Sequence, residues 1–400
     1  MGEELSSVNY SMGNEVNSLK SLKKNNKSSI LRLLYDNGAM SRLELAKETG
    51  LTTASITVLV KDLMSCGAII ESGSVQRNKS GRREVLLDIN YKELRVANIT
   101  IESDKIYFSI CNRYETLIEK TFDSSVIQQA DPLNPAEDDI LGNHWSTQYK
   151  IRCIGIGVIG KVDTEKGILI DSRGLFPPNF PLRKVLSMQY PYPIIITNNV
   201  RAQAYSIITS ELNDFLYVKH GPKLGGAIVS NGRIVRGSGN EAGEIGQTQV
   251  RNIQEKITLG DYVSEKRIRK RYEMETSKDL EAEEIYKLFS TDKVAYSVIS
   301  DCLKQISDTV ANIGFIIDPA KIILSGGMFL HDDIFEKLCA LIKDAGYLKP
   351  VIRPTNSDKL KFLSSGIVAL KFCLFGLIKP DAEDDSFVSK NEDDDEEPSD

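Results

Sequence analysis

No stretch of the 400-residue chain approaches the roughly 18 consecutive apolar residues that crossing a bilayer requires. The first 26 residues are polar and lack the apolar core of a secretion signal. These absences predict a cytoplasmic protein with no membrane partner. Cysteines are few: Cys66, Cys111, Cys153, Cys302, Cys339 and Cys373, with no C-x-x-C pair among them. Most sit in apolar stretches and read as small buried thiols, which argues against a disulfide framework or a zinc site. No segment recurs with the 20–50-residue period of solenoids and propellers.

What is present is a soluble balance, 41% hydrophobic and 26% charged, on a chain too long for one ordinary core. The net charge of -6 is unevenly spread. Residues 18–95 carry 14 Lys/Arg against 8 Asp/Glu, whereas residues 381–400 carry 11 Asp/Glu and one Lys. A basic front end predicts a polyanionic partner. The acidic tail reads as a disordered solubility segment, or as an internal competitor for that basic front. The predicted organisation is a flexible arm over 1–26, a small helical and stranded domain over 27–90, one lobe over 91–205, a second over 206–380 whose C-terminal helix returns to the first, and the tail over 381–400. From about residue 91, strands (95–101, 105–111, 152–158, 194–197, 215–219, 226–229) alternate with helices (200–210, 292–315, 364–378), which is an α/β pattern. Residues 128–143, acidic and with two prolines, read as a surface turn or short helix.

The front end carries the clearest local signals. A first helix over 28–36 stops at Asn37-Gly38. Ser41-Arg42-Leu43-Glu44 is a capping box that starts a second helix, and Thr49-Gly50-Leu51 is a tight turn. Thr52 or Thr53 caps a third helix running to about Ser65. Ile56, Leu59, Val60 and Leu63 stand at spacings of 3, 4 and 7 and make one buried face. The opposite face shows Thr53, Ala54, Ser55, Thr57 and Lys61. Small residues let a helix sit deep in a major groove, and hydroxyls and a cation meet bases and phosphates. Two strands follow, and the loop between them holds Arg77, Lys79, Arg82 and Arg83 with no acid. Such a loop follows phosphates or enters a minor groove, though alone it also fits a solvated hairpin. The expected duplex-DNA contacts are Ser41, Arg42, Thr52, Thr53, Ala54, Ser55, Thr57, Lys61, Arg77, Lys79, Arg82 and Arg83. A single recognition helix reads few base pairs, so a homodimer or a dimer of dimers is expected.

Residues 41–57 and Ser80-Gly81-Arg82-Arg83 resemble the helix-turn-helix and wing of repressors in the ROK family, which also contains sugar kinases. Glu84 stands where that family usually has proline. Further matches are Gly155-Ile-Gly157-Val-Ile-Gly160, Thr197–Ala202, Gly221–Val229, Gly232–Gln247 and Ile317–Gly327. The resemblance, over about residues 27–378, implies a winged helix-turn-helix followed by a two-lobed actin-like, ribonuclease-H-like ATPase fold with a sugar cleft.

Kinases of the family place a catalytic aspartate in a motif like E-N-D-A-N; here Thr197-Asn198-Asn199-Val200-Arg201 puts Asn199 at that position. An amide is no base, so a factor of roughly 10² to 10⁴ is lost. The D-x-G-x-T phosphate loop has no counterpart in the glycine-free residues 94–106. In the second loop, Gly221-Pro222-Lys223-Leu224-Gly225, Pro222 removes a donor and Lys223 replaces a glycine. No enzyme activity and no cofactor are therefore expected. Gly243-Glu244-Ile245-Gly246-Gln247 resembles the family's G-E-x-G-H sugar motif. The resemblance implies an effector site of Asn198, Asn199, Glu244 and Gln247 for a sugar or sugar derivative; the alternative is that Glu244 and Gln247 merely hold a Gly-rich loop. Residues 248–264 contain no cysteine, so the family's zinc is not expected. The leading expectation is a sugar-responsive repressor of carbohydrate-utilisation genes. A regulator with a vestigial, ligand-free scaffold and an active sugar kinase are the two competitors.

Overall fold

The computed structural model describes residues 19–75, 83–125, 148–209, 211–250 and 256–375. Of these, residues 19–90 with Leu374 and Phe375 form one compact unit, and Tyr91–Cys373 form another.

The first unit begins with α1 (Leu19–Asn37), which starts earlier than residue 28. Its first turns hold only Leu19 and Leu22 among lysines, serine and asparagines, so periodicity does not reveal them. Lys23 and Lys27 reach from them to the Asp62 carboxylate at 2.7 and 3.1 Å and hold its pKa below the usual carboxylate value. Then come β1 (Met40–Ser41), α2 (Arg42–Thr49), α3 (Thr53–Ser65), β2 (Ile69–Val75) and β3 (Glu84–Ile89). Gly50, with φ 71, supplies the left-handed residue between α2 and α3. The strands pair antiparallel in the order β1-β3-β2. Ile30, Leu34, Leu45, Ile56, Val60 and Leu87 are fully buried beneath them. Phe375 meets the Tyr35 ring edge-on at 5.5 Å, with the Arg32 guanidinium 5.1 Å over it.

In the second unit, β4 (Arg95–Ile101), β5 (Lys105–Cys111), β6 (Thr116–Asp123), β7 (Ile151–Val158) and β10 (Ile194–Asn198) form one sheet, in the order β10-β7-β4-β5-β6. A small hairpin, β8 (Lys161–Asp163) with β9 (Ile168–Asp171), follows β7. A second sheet has the order β13-β12-β11-β14-β15, from β11 (Phe215–His220), β12 (Leu224–Ser230), β13 (Arg233–Val235), β14 (Lys321–Ser325) and β15 (Val351–Ile352). Each sheet has three antiparallel strands extended by two parallel ones. The helices are α4 (Leu182–Ser187), α5 (Asn199–Ser206), α6 (Leu259–Tyr262), α7 (Glu265–Thr276), α8 (Ala282–Lys287), α9 (Lys293–Ile317), α10 (Asp332–Asp344) and α11 (Leu360–Phe375).

The second sheet buries Leu216, Val218 and Leu324 against Ile299 and Leu303 of α9 and Leu338 of α10. One face of the first sheet buries Ile99, Phe108 and Ile156 with Leu182 and Leu186 of α4. Its other face receives α11. Buried Asn98 of β4 donates to the Lys361 carbonyl at 3.1 Å and accepts from the Gly366 amide at 3.0 Å. A Cβ on Gly155 would lie 1.9 Å from the Ser365 carbonyl oxygen, so only glycine lets the helix seat. The described residues contain no helix long and apolar enough to cross a membrane.

Candidate functional site

The outer face of α3 presents Thr53, Ala54, Ser55, Thr57 and Lys61, all exposed, with Thr52 just before it. Thr52 is the N-cap: its hydroxyl accepts from the Ser55 amide at 3.2 Å and lies 2.9 Å from the Ser55 hydroxyl. The Thr57 hydroxyl donates back to the Thr53 carbonyl at 2.7 Å. Val58, 55% exposed, lies on the same face. An apolar residue in an apolar helix reads as core, and only its place off the 3-4-7 stripe gives it away. Ser41 is placed differently, at 2% exposure. Its hydroxyl accepts from the Glu44 amide at 3.3 Å, while Glu44 accepts from the Ser41 amide at 2.8 Å, completing the capping box. Arg42 is half-buried with its guanidinium 3.6 Å from Glu71, and Arg83 is exposed before β3. Arg77, Lys79 and Arg82 lie outside the described residues. An open depression of about 1080 Å³ flanks α2 and the start of α3, among Met40, Leu43, Lys47 and Thr52; it is remote in sequence from the expected sugar residues.

The expected effector residues sit on two strand-to-helix transitions of the second unit. Asn198 ends β10 and caps α5: its carbonyl accepts from the Arg201 amide at 2.9 Å and its amide donates to Gly160 at 2.8 Å. Asn199 accepts from the Val200 amide at 2.9 Å and donates to the Glu102 carboxylate at 3.4 Å. Both amides are thus engaged within the protein. Glu244 and Gln247 bracket one 3₁₀ turn. It approaches β12 so closely that a Cβ on Gly246 would lie 2.2 Å from the Leu224 carbonyl oxygen. Gly246 allows this close approach. Among the described residues, the Glu244 carboxylate has no hydrogen bond and only Arg173, at 3.9 Å, within ion-pair reach. Burial pushes its pKa up, against the pull of Arg201 and Arg173. Gln247 presents its amide oxygen to the Arg173 guanidinium, accepting at 3.2 and 2.5 Å. Arg173 and Arg201 escape sequence reasoning because neither belongs to a motif of charged residues; Arg173 stands in a turn at φ 58.

Charged side chains meet beside Gly221. Glu102, just after β4, and Lys219 of β11 are 6% and 9% exposed and form a close ion pair that joins the two lobes. The Lys219 ammonium also donates to the Gly221 carbonyl at 2.9 Å. Glu265 at the start of α7 lies against Gly221, where an added Cβ would be 2.7 Å from its carboxylate. Burial pushes the Glu265 pKa up to about 7; Asp104, Glu102 and Glu283 push the same way and Lys219 opposes them. Lys219 thus offsets only part of the effect of burial and of the neighbouring carboxylates. Glu102 and Lys219 are 117 residues apart, too far for any spacing rule to link them.

Residues 104–356 match the model of the ROK family, and residues 24–70 match that of winged helix-turn-helix DNA-binding domains. The chain is 28% identical over 245 residues to the xylose repressor of Caldicellulosiruptor bescii, covering 59% of this chain and 61% of that one. It is 25% identical over 270 residues to the DNA-binding transcriptional dual regulator NagC of Escherichia coli K12, covering 62% and 63%. Each alignment spans under two thirds of the relative. Among solved structures, a ROK family transcriptional regulator, homolog of the E. coli MLC protein, superposes with TM-score 0.71 at 20% identity over 88% of this chain and 97% of that one. A ROK glucokinase of Streptomyces griseus, solved with glucose and AMPPNP, gives TM-score 0.58 at 16% identity over 69% and 99%. These likenesses show the fold: a winged helix-turn-helix and a domain shared with sugar kinases.

Proposed function

Because this chain belongs to the ROK family, we propose that it is a DNA-binding transcriptional repressor whose kinase-like domain senses a sugar or sugar derivative and phosphorylates nothing. The observation that carries the reading is the pairing, in one chain, of an exposed small-and-hydroxyl face on α3 with the buried amide of Asn199, which stands where the family resemblance puts the kinases' aspartate. The relatives named xylose repressor and NagC support the same reading. Asn199 cannot accept a proton from a sugar hydroxyl. The repressor acts in the cytoplasm on a duplex operator, as a homodimer or a dimer of dimers, because two recognition helices read two half-sites.

A ligand releases DNA only if it binds the DNA-competent and incompetent states unequally. The test pairs fluorescence anisotropy on operator DNA with an assay of ATP-dependent sugar phosphorylation. Operator binding that a sugar or its derivative relieves, with no phosphorylation, is expected, and Glu244→Ala abolishes the ligand's effect. Turnover that depends on Asn199 overturns the non-enzyme reading; the absence of DNA binding overturns the whole.

A further inference from the structure

We infer that Cys153 of β7 and Cys373 of α11 are a redox pair: a hydroperoxide joins them in a disulfide that locks α11 onto the first sheet, and a thiol reductant frees it. Neither DNA binding nor sugar sensing is needed for it.

Three of the six cysteines line the seat of α11. Val96 of β4 is in register with Cys111 of β5 on one side and with Cys153 of β7 on the other, so the three side chains share one face of the sheet. That face receives α11. A Cβ on Gly366 would lie 3.0 Å from the Cys111 sulfur, and Gly155, two residues beyond Cys153, lies under Ser365. Cys373 follows Gly366 by seven residues, two helical turns, and so faces the sheet as Gly366 does. Its sulfur is in hydrogen-bonding contact with that of Cys153. Cys111 is excluded as a partner for Cys153, because a whole strand stands between them. Neighbouring strands are about 4.8 Å apart, and a disulfide needs Cα atoms within roughly 7 Å.

The two sulfurs differ as a redox pair requires. Cys153 is fully buried, and the contact with Cys373 together with burial holds its pKa well above the ordinary thiol value. It keeps its proton and does not meet an oxidant first. Cys373 is half-buried and is the one a peroxide reaches. Its sulfur attacks the peroxide and becomes a sulfenic acid, while the peroxide is reduced to water. The Cys153 sulfur then displaces the hydroxyl, which departs as water with the Cys153 proton, and the S–S bond forms. The seat that this bond locks is polar. Asn98 and Ser109 on the sheet and Ser365 on the helix are fully buried, and the first two donate to the carbonyls of Lys361 and Phe362 in α11. Polar groups gain less on burial than hydrocarbon does, so a covalent tie changes how readily the helix lifts. In a reducing compartment such a bond is transient and reports an oxidant.

The test treats the full chain with hydrogen peroxide, blocks the remaining thiols with N-ethylmaleimide and reads the unreduced digest by mass spectrometry. A Cys153–Cys373 peptide pair, lighter by two hydrogens than the separate peptides and split by dithiothreitol, is expected. The linked protein should exchange its α11 amides more slowly, by about tenfold or more. Cys153→Ala removes the resolving thiol, so Cys373 should then persist as a sulfenic acid that dimedone captures, as it does not in the unaltered chain. Thermal melting under reducing conditions shows whether that variant folds, and the link in the unaltered chain is measured without it. Cys373 left as a thiol, oxidised without a link, or joined to Cys111 overturns the pair. Unchanged α11 exchange in the linked chain overturns the lock.

Discussion

At the scale of residues, the charged groups between the lobes have a measurable pH signature. Folding raises the Glu265 pKa from 4.5 to about 7, so the folded chain holds a proton that the unfolded chain has released. The ionised form is the disfavoured one in the fold. Its penalty is fully present above about pH 7, shrinks as pH falls, and is gone below the unfolded value. The faces around it carry Lys219, Asp104, Glu102 and Glu283, and Lys219 alone offsets the penalty. Glu265→Gln should therefore stabilise the protein at pH 8, by about 3 kcal/mol at most, and change little at pH 4.5. Melting temperatures of the two proteins at those pH values check it, and equal melting at pH 8 counts against the assignment. None of this was legible beforehand. Glu102, Lys219 and Glu265 come from three distant segments, and each looks like an ordinary surface charge until the sheets bring them together. The place of Asn199 at the start of α5 was legible, because the motif Thr197–Ala202 marks a strand passing into a helix.

At the scale of elements, α2 and α3 separate stability from contact. Ser41 is buried in its capping box, so Ser41→Ala should lower stability by about 1 kcal/mol without altering the salt dependence of operator binding. Lys61 is exposed on α3, so Lys61→Ala should leave melting unchanged and make the slope of log K against log salt shallower by about one. Exchanged phenotypes would mean that the two roles have been confused. Elements with a strong period were readable. α3 follows the 3-4-7 spacing, and β4 and β5 were anticipated over the residues found, because short, mostly apolar, β-branched-rich runs that open on a charge mark sheet interiors. The start of α1, the strand β6 and the hairpin β8–β9 were not, since each has exposed positions that dilute the pattern. They exist because ion pairs or neighbouring strands hold them. Residues 128–143, expected as a turn or short helix, lie outside the described residues.

At the scale of the whole molecule, the second unit uses one plan twice. In both sheets the first strand in sequence is central, the next two add antiparallel on one side, and two later strands add parallel on the other. No short repeat betrays this in the sequence, because the duplicated object is a connectivity of more than a hundred residues and not a run of side chains. The two copies meet where β10 passes into α5 and where β11 turns into β12, which is why Asn199, Glu102 and Lys219 share one small volume. Opening the lobes would break a buried ion pair, a step worth several kcal/mol in either direction.

The seating of α11 on the first sheet also sets a timetable. A ribosome completes β4 and β7 long before residue 360 emerges, roughly 200 residues after β7. At about 5 to 20 residues per second the nascent lobe waits on the order of 10 to 40 s with one face bare. That face includes Gly155 and Gly157, whose missing side chains leave a groove, and Asn98, whose amide waits for Lys361 and Gly366. A chain ended at residue 356 should therefore aggregate on synthesis. A peptide of residues 357–378 added during refolding should restore soluble protein and slow amide exchange in β4 and β7. Unchanged exchange in the shortened chain would show that the lobe closes without its last helix. α11 acts as the chaperone of the sheet it covers, and until residues 360–375 emerge the lobe is a dependent of the machinery that makes it.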